Sequence, residues 1–299
     1  AMTSRHFMEL LRARMSEGLS LCVGLDSDIT KLPKQYAKDE LPQFMFNTDV
    51  IDATHGRAVA FKLNIAFYAD DAEGRKALHA TIAYIKQVAP GVPIILDAKR
   101  GDIGNTNVGY VHEAFEWFGA DAMTVSPYLG FGDAVNVFTT DPTKGVIVLC
   151  RTSNPGAGEF QDRQVLVNSE EVLQLYGSAR LMGGGYQFAP LYAVVAMQVA
   201  NQWNTNGNCC VVVGSTFPEE LKAVRDIIGD MPILVPGYGA QGGKTEATIL
   251  NGVDSTGAGL INNVSRSLIF PEDGDIELTA ERWDEEFRRC LRLATSQPN

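Results

Sequence analysis

The chain has 299 residues, of which 45% are hydrophobic and 20% charged, and it carries a formal net charge of −11 at pH 7. Such a composition belongs to a globular protein able to bury a large core without staples, and no apolar run is long enough to span a bilayer. The acidic balance argues against nucleic acid and anionic membranes as partners, although a locally positive pocket could still take an anionic small molecule.

The N-terminal stretch AMTSRHFMELLRARM has neither an apolar h-region nor a small-residue cleavage site, so no secretory signal is expected. The leading Ala1-Met2 reads as a remnant joined to an initiator. Short apolar runs then alternate with longer amphipathic ones. The runs are LSLCVGLD (19–26), VAFKLN (59–64), PIILDAK (93–99), AMTVSP (122–127), GVIVLCRTS (145–153), NCCVVVGS (208–215), PILVPG (232–237) and GAGLINN (257–263). Most are continuous rather than alternating, as parallel strands buried on both faces require.

Helical patterns lie between them. Phe188, Leu191, Val195, Val199 and Trp203 recur at spacings of three and four, as do Trp283, Phe287, Leu291 and Ala294, with Thr279 as an N-cap of the second helix. Thr216 and Glu219 read as a capping box opening the helix after the sixth run. Strand-then-helix units repeated in this way predict an α/β fold, a (β/α)8 TIM barrel, as a single domain over 1–299. A doubly wound sheet is the alternative, but no G-x-G-x-x-G follows the first run. The longest gap between runs contains NPGAGEFQDRQ and LMGGGYQ, and 154–187 reads as a lid or as a tolerated surface insertion.

Cys22, Cys150, Cys209, Cys210 and Cys290 form no C-x-x-C pair and read as reduced core thiols. The four histidines are scattered, so a histidine-ligated metal is not expected.

In such barrels the chemistry collects at the C-terminal strand ends. The polar residues there are Asp26, Lys62, Asn64, Asp97, Lys99, Asp102, Ser126, Thr152, Ser153 and Asn154, then PGYGAQGG (236–243) and Arg266. The glycine-rich stretch leads into a helical pattern and, with Arg266, suits a phosphate; a flexible turn is the plainer reading. On an extended strand Asp97 and Lys99 point to one side. With Lys62 they make a row of alternating charge that keeps lysines protonated and carboxylates ionised, either for chemistry or as a structural ion-pair network.

The segments LCVGLDSD, FKLN, LDAKRGDIGNT, RTSNPGAGEFQD, VVGSTFPEEL, VPGYGAQGG and the arginine of NNVSRSLIF resemble, in this order and over almost the whole chain, the orotidine 5′-monophosphate decarboxylases. The long interval and RTSNPGA resemble the larger, mycobacterial-type branch. The resemblance implies a cytoplasmic barrel homodimer with no cofactor and no metal that converts orotidine 5′-monophosphate to UMP and CO2 in de novo pyrimidine biosynthesis. It implies that Lys99 protonates C6, Asp97 faces the departing carboxylate, Lys62 holds the ribose and Asp97, and Asp26 binds a ribose hydroxyl. Asp102, Ile103 and Thr106 are implied to serve the partner subunit's site, and Ser153 the pyrimidine amide edge. Pro236, Gln241, Gly242, nearby backbone N–H groups and Arg266 are implied at the phosphate. Three other readings stay open: a keto-gulonate-phosphate decarboxylase, which shares D-x-K-x-x-D but uses a divalent metal, a Schiff-base aldolase through Lys99 or Lys62, and a non-catalytic nucleotide-binding barrel.

Overall fold

The computed structural model describes residues 4–177, 187–239 and 244–296. Its frame is a closed parallel barrel of β1 (Leu21–Gly24), β2 (Ala60–Asn64), β3 (Ile94–Arg100), β4 (Ala122–Val125), β5 (Gly145–Arg151), β8 (Cys209–Val213), β9 (Ile233–Tyr238) and β10 (Leu260–Val264). Strand β1 pairs with both β2 and β10, which closes the ring and rules out the open doubly wound sheet. The helices are α1 (Phe7–Ser16), α2 (Pro42–Thr54), α3 (Ala72–Val88), α4 (Gly104–Val111), α5 (Asn136–Thr139), α6 (Gly158–Gln161), α7 (Ser169–Tyr176), α8 (Leu191–Gln198), α9 (Pro218–Ile228), α10 (Thr245–Gly252), α11 (Arg266–Ile269) and α12 (Ile276–Ser296). All eight apolar runs became barrel strands; β3, β9 and β10 start later than expected and run one residue past the expected end, and the other five are trimmed.

Two apolar layers hold the fold. One lies between strands and helices; the other fills the barrel with Cys22, Ala60, Ile95, Ile147, Cys210 and Ile261 among others. Phe7, Leu11 and Met15 of α1 join the interior layer, so this helix closes the N-terminal end of the barrel. Gly145 makes room for it: a Cβ there would lie 2.2 Å from Phe7 Cδ1. With that end shut, the strands' C-terminal ends form the mouth. The five cysteines are free and buried, as expected of core thiols.

Three local expectations are corrected. Phe188 is not helical: it sits in β7 (Gln187–Pro190), paired antiparallel with β6 (Gln164–Val167), and α8 begins at Leu191. The period-3.6 pattern ran through the end of a strand because Pro190 separates the two. Thr216 and Glu219 form no capping box, because Pro218 opens α9 and moves its N-cap to Phe217, which makes no side-chain cap. Thr279 lies inside α12; Asp275 accepts from Leu278 N at 2.9 Å and supplies the cap four residues earlier than expected.

The stretch expected as an irregular insertion carries structure of its own. Helices α7 and α8 and the antiparallel β6–β7 pair enclose a small core of Val167, Val172, Leu175, Ala189, Ala193 and Met197. Asn168 and Glu171 form a reciprocal capping box at α7. Of the segment read as a lid, 178–186 lies outside the described residues.

Candidate active site

Period-two alternation decides what faces the mouth. Cys22, Ala60, Ile95, Ala122, Leu234 and Ile261 point into the barrel interior. Two residues further along the same strands stand Gly24, Lys62, Asp97, Thr124, Pro236 and Asn263, which therefore also point inward, one layer nearer the mouth. An apolar plug is thus topped by a polar layer. Above it opens a cavity of about 720 Å³ lined by Asp26, Lys62, Asp97, Pro236 and Arg266 among others.

Asp97 is the hub of that layer. Its Oδ2 accepts from Lys62 Nζ at 2.9 Å, and its Oδ1 from Lys99 Nζ at 2.8 Å and Thr124 Oγ1 at 2.7 Å. Asp97 and Lys62 are 7% and 4% exposed, so burial alone would neutralise both. For Asp97 that upward pull is overcome by Lys62 and Lys99, which hold its pKa well below the usual carboxylate range. For Lys62 burial pulls the ammonium down, and Asp97 and Asp26 outweigh it, leaving the pKa above a free lysine's. Both groups are therefore charged at neutral pH. Cys22, beneath them, is pushed up to about 12 by burial and stays a neutral thiol.

Lys99 faces Asp97 as expected, but not by regular strand alternation. Its φ of 49° makes it the one non-glycine residue with positive φ among the described residues, and the β3–β4 register shifts between Leu96 and Arg100. A left-handed lysine costs on the order of 1–2 kcal/mol. The surroundings hold it there: Lys99 N donates to Thr124 Oγ1 at 3.0 Å, Ser126 N to Arg100 O at 2.8 Å, and Arg100 pairs with Glu113 at 2.9 Å. From this irregular backbone the ammonium reaches Asp97 Oδ1.

The remaining predicted residues fall into four groups. Asp26 and Arg266 line the cavity with Pro236. Ser153 follows β5 on the rim, where Gly214 admits it closely: a Cβ on Gly214 would lie 2.8 Å from Ser153 Cβ. Asp102, Ile103 and Thr106 are not among the residues lining this cavity. Asp102 Oδ1 accepts from Ile103 N at 2.7 Å just before α4, and the Ile103 side chain is 51% exposed. Gln241 and Gly242 lie outside the described residues.

Thr124, Asn263 and Ser267 were not picked out from sequence. Thr124 fixes both the Asp97 carboxylate and the Lys99 backbone; its place two residues after Ala122 was the available signal. Asp26 Oδ1, Asn263 Oδ1 and Ser267 Oγ are buried without a hydrogen-bond partner, and all three residues line the cavity. Among the described residues, no three His, Cys, Asp or Glu side chains gather as a metal site, and no helix is long and apolar enough to cross a membrane.

Residues 20–277 match the model of the orotidine 5′-phosphate decarboxylase / HUMPS family. The orotidine 5′-phosphate decarboxylase of Cupriavidus metallidurans is 46% identical over 266 residues, covering 88% of this chain and 89% of that one. That of Cellvibrio japonicus is 43% identical over 272 residues, covering 90% and 91%. The solved structure of Leishmania donovani OMP decarboxylase superposes with a TM-score of 0.79 at 34% identity, covering 96% of this chain and 99% of that one. With its barrel, its buried Lys62–Asp97 pair and these likenesses over nearly all its length, the chain belongs to the orotidine 5′-phosphate decarboxylase / HUMPS family.

Proposed function

We propose that this chain decarboxylates orotidine 5′-monophosphate to UMP and CO2, a step of pyrimidine biosynthesis, in the cytoplasm. The observation that carries this is the Lys62–Asp97–Lys99 array, whose buried Lys62 and Asp97 line the cavity and whose half-exposed Lys99 pairs with the same carboxylate.

The chemistry follows from the charges. As the bond from C6 to the carboxylate breaks, its electron pair stays on C6 and CO2 departs. Asp97, held ionised, stands against the substrate carboxylate. Two unit charges about 4 Å apart repel by on the order of 4 kcal/mol at an effective dielectric of 20, and that repulsion ends when neutral CO2 forms. The Lys99 ammonium stabilises the developing carbanion and then gives it a proton, yielding UMP and a neutral amine that solvent reprotonates. No cofactor enters this scheme. Lys62 keeps Asp97 in place and reaches the ribose, where Asp26 accepts from a hydroxyl.

Away from the reacting carbon, Arg266 clamps the phosphate, with Pro236, Gln241, Gly242 and backbone N–H groups of the 236–243 stretch around it. Ser153 meets the pyrimidine amide edge. Binding energy from the phosphate closes the 154–187 segment over the site. The half-buried Asp102 and the exposed Ile103 and Thr106, beyond β3 and absent from their own chain's cavity, reach a second copy's site in a homodimer.

The test is the fall in orotidine-monophosphate absorbance when purified protein is added in the presence of a chelator. Turnover that persists supports direct decarboxylation; turnover that stops and returns with a divalent cation would favour a metal-dependent sugar-phosphate reaction instead.

A further inference from the structure

Asn263 is 5% exposed and lines the cavity. Its Nδ2 donates to Ser265 Oγ at 3.0 Å, which leaves Oδ1 buried with no partner. Asp26, which lies beyond the end of β1, carries a second orphan acceptor, Oδ1. Gly24 ends β1, two residues before Asp26, and packs against Asn263 and Ser265. A Cβ there would lie 3.0 Å from Asn263 Oδ1 and 2.0 Å from Ser265 Oγ, so the missing side chain is what gives the Asn263–Ser265 pair its space. On the other side of Gly24, in register with it, is Lys62. Among the described residues its buried ammonium has one hydrogen-bond partner, Asp97, which leaves N–H groups to offer.

Leaving buried polar atoms unmatched costs about 1–3 kcal/mol each, so a pocket holding two such acceptors beside an underused ammonium is shaped for what it lacks. The complement must donate to the acceptors and accept from the ammonium. A phosphate or carboxylate fails, because it offers no donor and would be repelled by Asp26. An apolar ring fails on both counts. An alcohol does both at one oxygen, and a vicinal diol does so at two.

We propose that Asn263 is a substrate-contacting residue that reads a ribose hydroxyl through Oδ1, with Ser265 holding the amide in that orientation. The resulting site discriminates nucleotides by their sugar: Asp26 and Asn263 each receive a hydroxyl proton, and Lys62 donates in return. This deepens the proposed function, and it rests on reading the cavity as a nucleotide site.

The test measures binding of UMP, 2′-deoxy-UMP and 3′-deoxy-UMP by calorimetry, with the unaltered protein and with Asn263→Ala and Asn263→Ser. Calorimetry does not depend on turnover, so failure of the decarboxylation assay and failure of this inference stay distinguishable. Expected is a loss of about tenfold in UMP affinity for Asn263→Ala, with little or no further loss on the one deoxy analogue that lacks the hydroxyl being read. Asn263→Ser, which keeps an acceptor, should recover part of the affinity. Equal losses on all three nucleotides would make Asn263 a structural residue and overturn the proposal. So would unaltered protein that binds both deoxy analogues as tightly as UMP, or that binds none of the three. Asn263→Ser, the milder change, keeps the test open even if Asn263→Ala fails to fold.

Discussion

Lys62 and Asp97 face each other from adjacent strands, Nζ to Oδ2 at 2.9 Å, with side chains 5% and 9% exposed. Removing either partner strands the other's charge in a poorly solvated layer, which for a buried pair costs about 3–5 kcal/mol. The pair is therefore a structural as well as a chemical element, and its two members respond to pH at opposite ends of the scale.

The depressed pKa of Asp97 means its ionisation contributes stability that is fully present above about pH 4 and is lost as pH falls toward the lowered value. Lys62, raised above a free lysine, contributes stability present below about pH 10 and lost only as pH climbs through its higher value. Asp97→Asn should therefore be less stable than the parent by an amount that is constant from about pH 5 to about pH 9 and shrinks below about pH 4. Urea unfolding across this range checks it; a gap that varies between about pH 6 and pH 8 would mean another group is titrating.

Lys99 lies at the edge of the layer with its side chain half exposed. Lys99→Ala should eliminate decarboxylation while changing UMP affinity by no more than a few-fold, since the lysine acts on the carbanion rather than on the bound product. Measurable turnover by purified Lys99→Ala would remove the proton-donor role.

How much of this was visible in the chain alone depends on distance along it. The barrel was legible because its signal repeats: the same apolar run followed by an amphipathic stretch, eight times. Lys62, Asp97 and Arg266 were legible because they stand at the ends of such runs. The left-handed turn at Lys99 was not, since nothing in DAKR marks a bulge that is held by Thr124 from the next strand. The β6–β7 hairpin was missed because its strands are four residues each and the pairing of Leu166 with Phe188 joins distant parts of the chain. Thr124 and Asn263 looked like ordinary strand residues until the barrel closed and set them beside charge.

Subunit mixing tests the sharing of sites. Lys99→Ala and Asp102→Ala should each be inactive as pure preparations, while a mixture allowed to exchange should regain up to roughly a quarter of parental activity, as expected if half the dimers are mixed and each carries one intact site. Exchange verified by differential tags without any recovery would assign Asp102 to its own chain's site.

The insertion is tied to the barrel by one well-placed pair. Arg151, 5% exposed at the end of β5, meets Asp162 through Nε at 2.8 Å and Nη2 at 3.1 Å, and its guanidinium lies 4.0 Å from the Phe217 ring centre. Gln161 Oε1 accepts from Thr152 N beside it at 2.7 Å. Asp162→Ala should lower stability by about 1–3 kcal/mol and weaken UMP binding by loosening the chain at Ser153. Thermal unfolding and calorimetry read the two effects separately; unchanged UMP affinity would show that the insertion and the Ser153 rim are independent.

The left-handed backbone at Lys99 sets two kinds of selection against each other at one position. Lys99→Gly would relieve the conformational penalty of a side chain at φ 49° while deleting the ammonium. Because the lost Lys99–Asp97 contact offsets that relief, a library of this chain screened only for heat resistance should tolerate Lys99→Gly better than other substitutions at residue 99, whereas one screened for growth without external pyrimidines should never tolerate it. The proposed proton donor stands where the backbone alone would favour glycine.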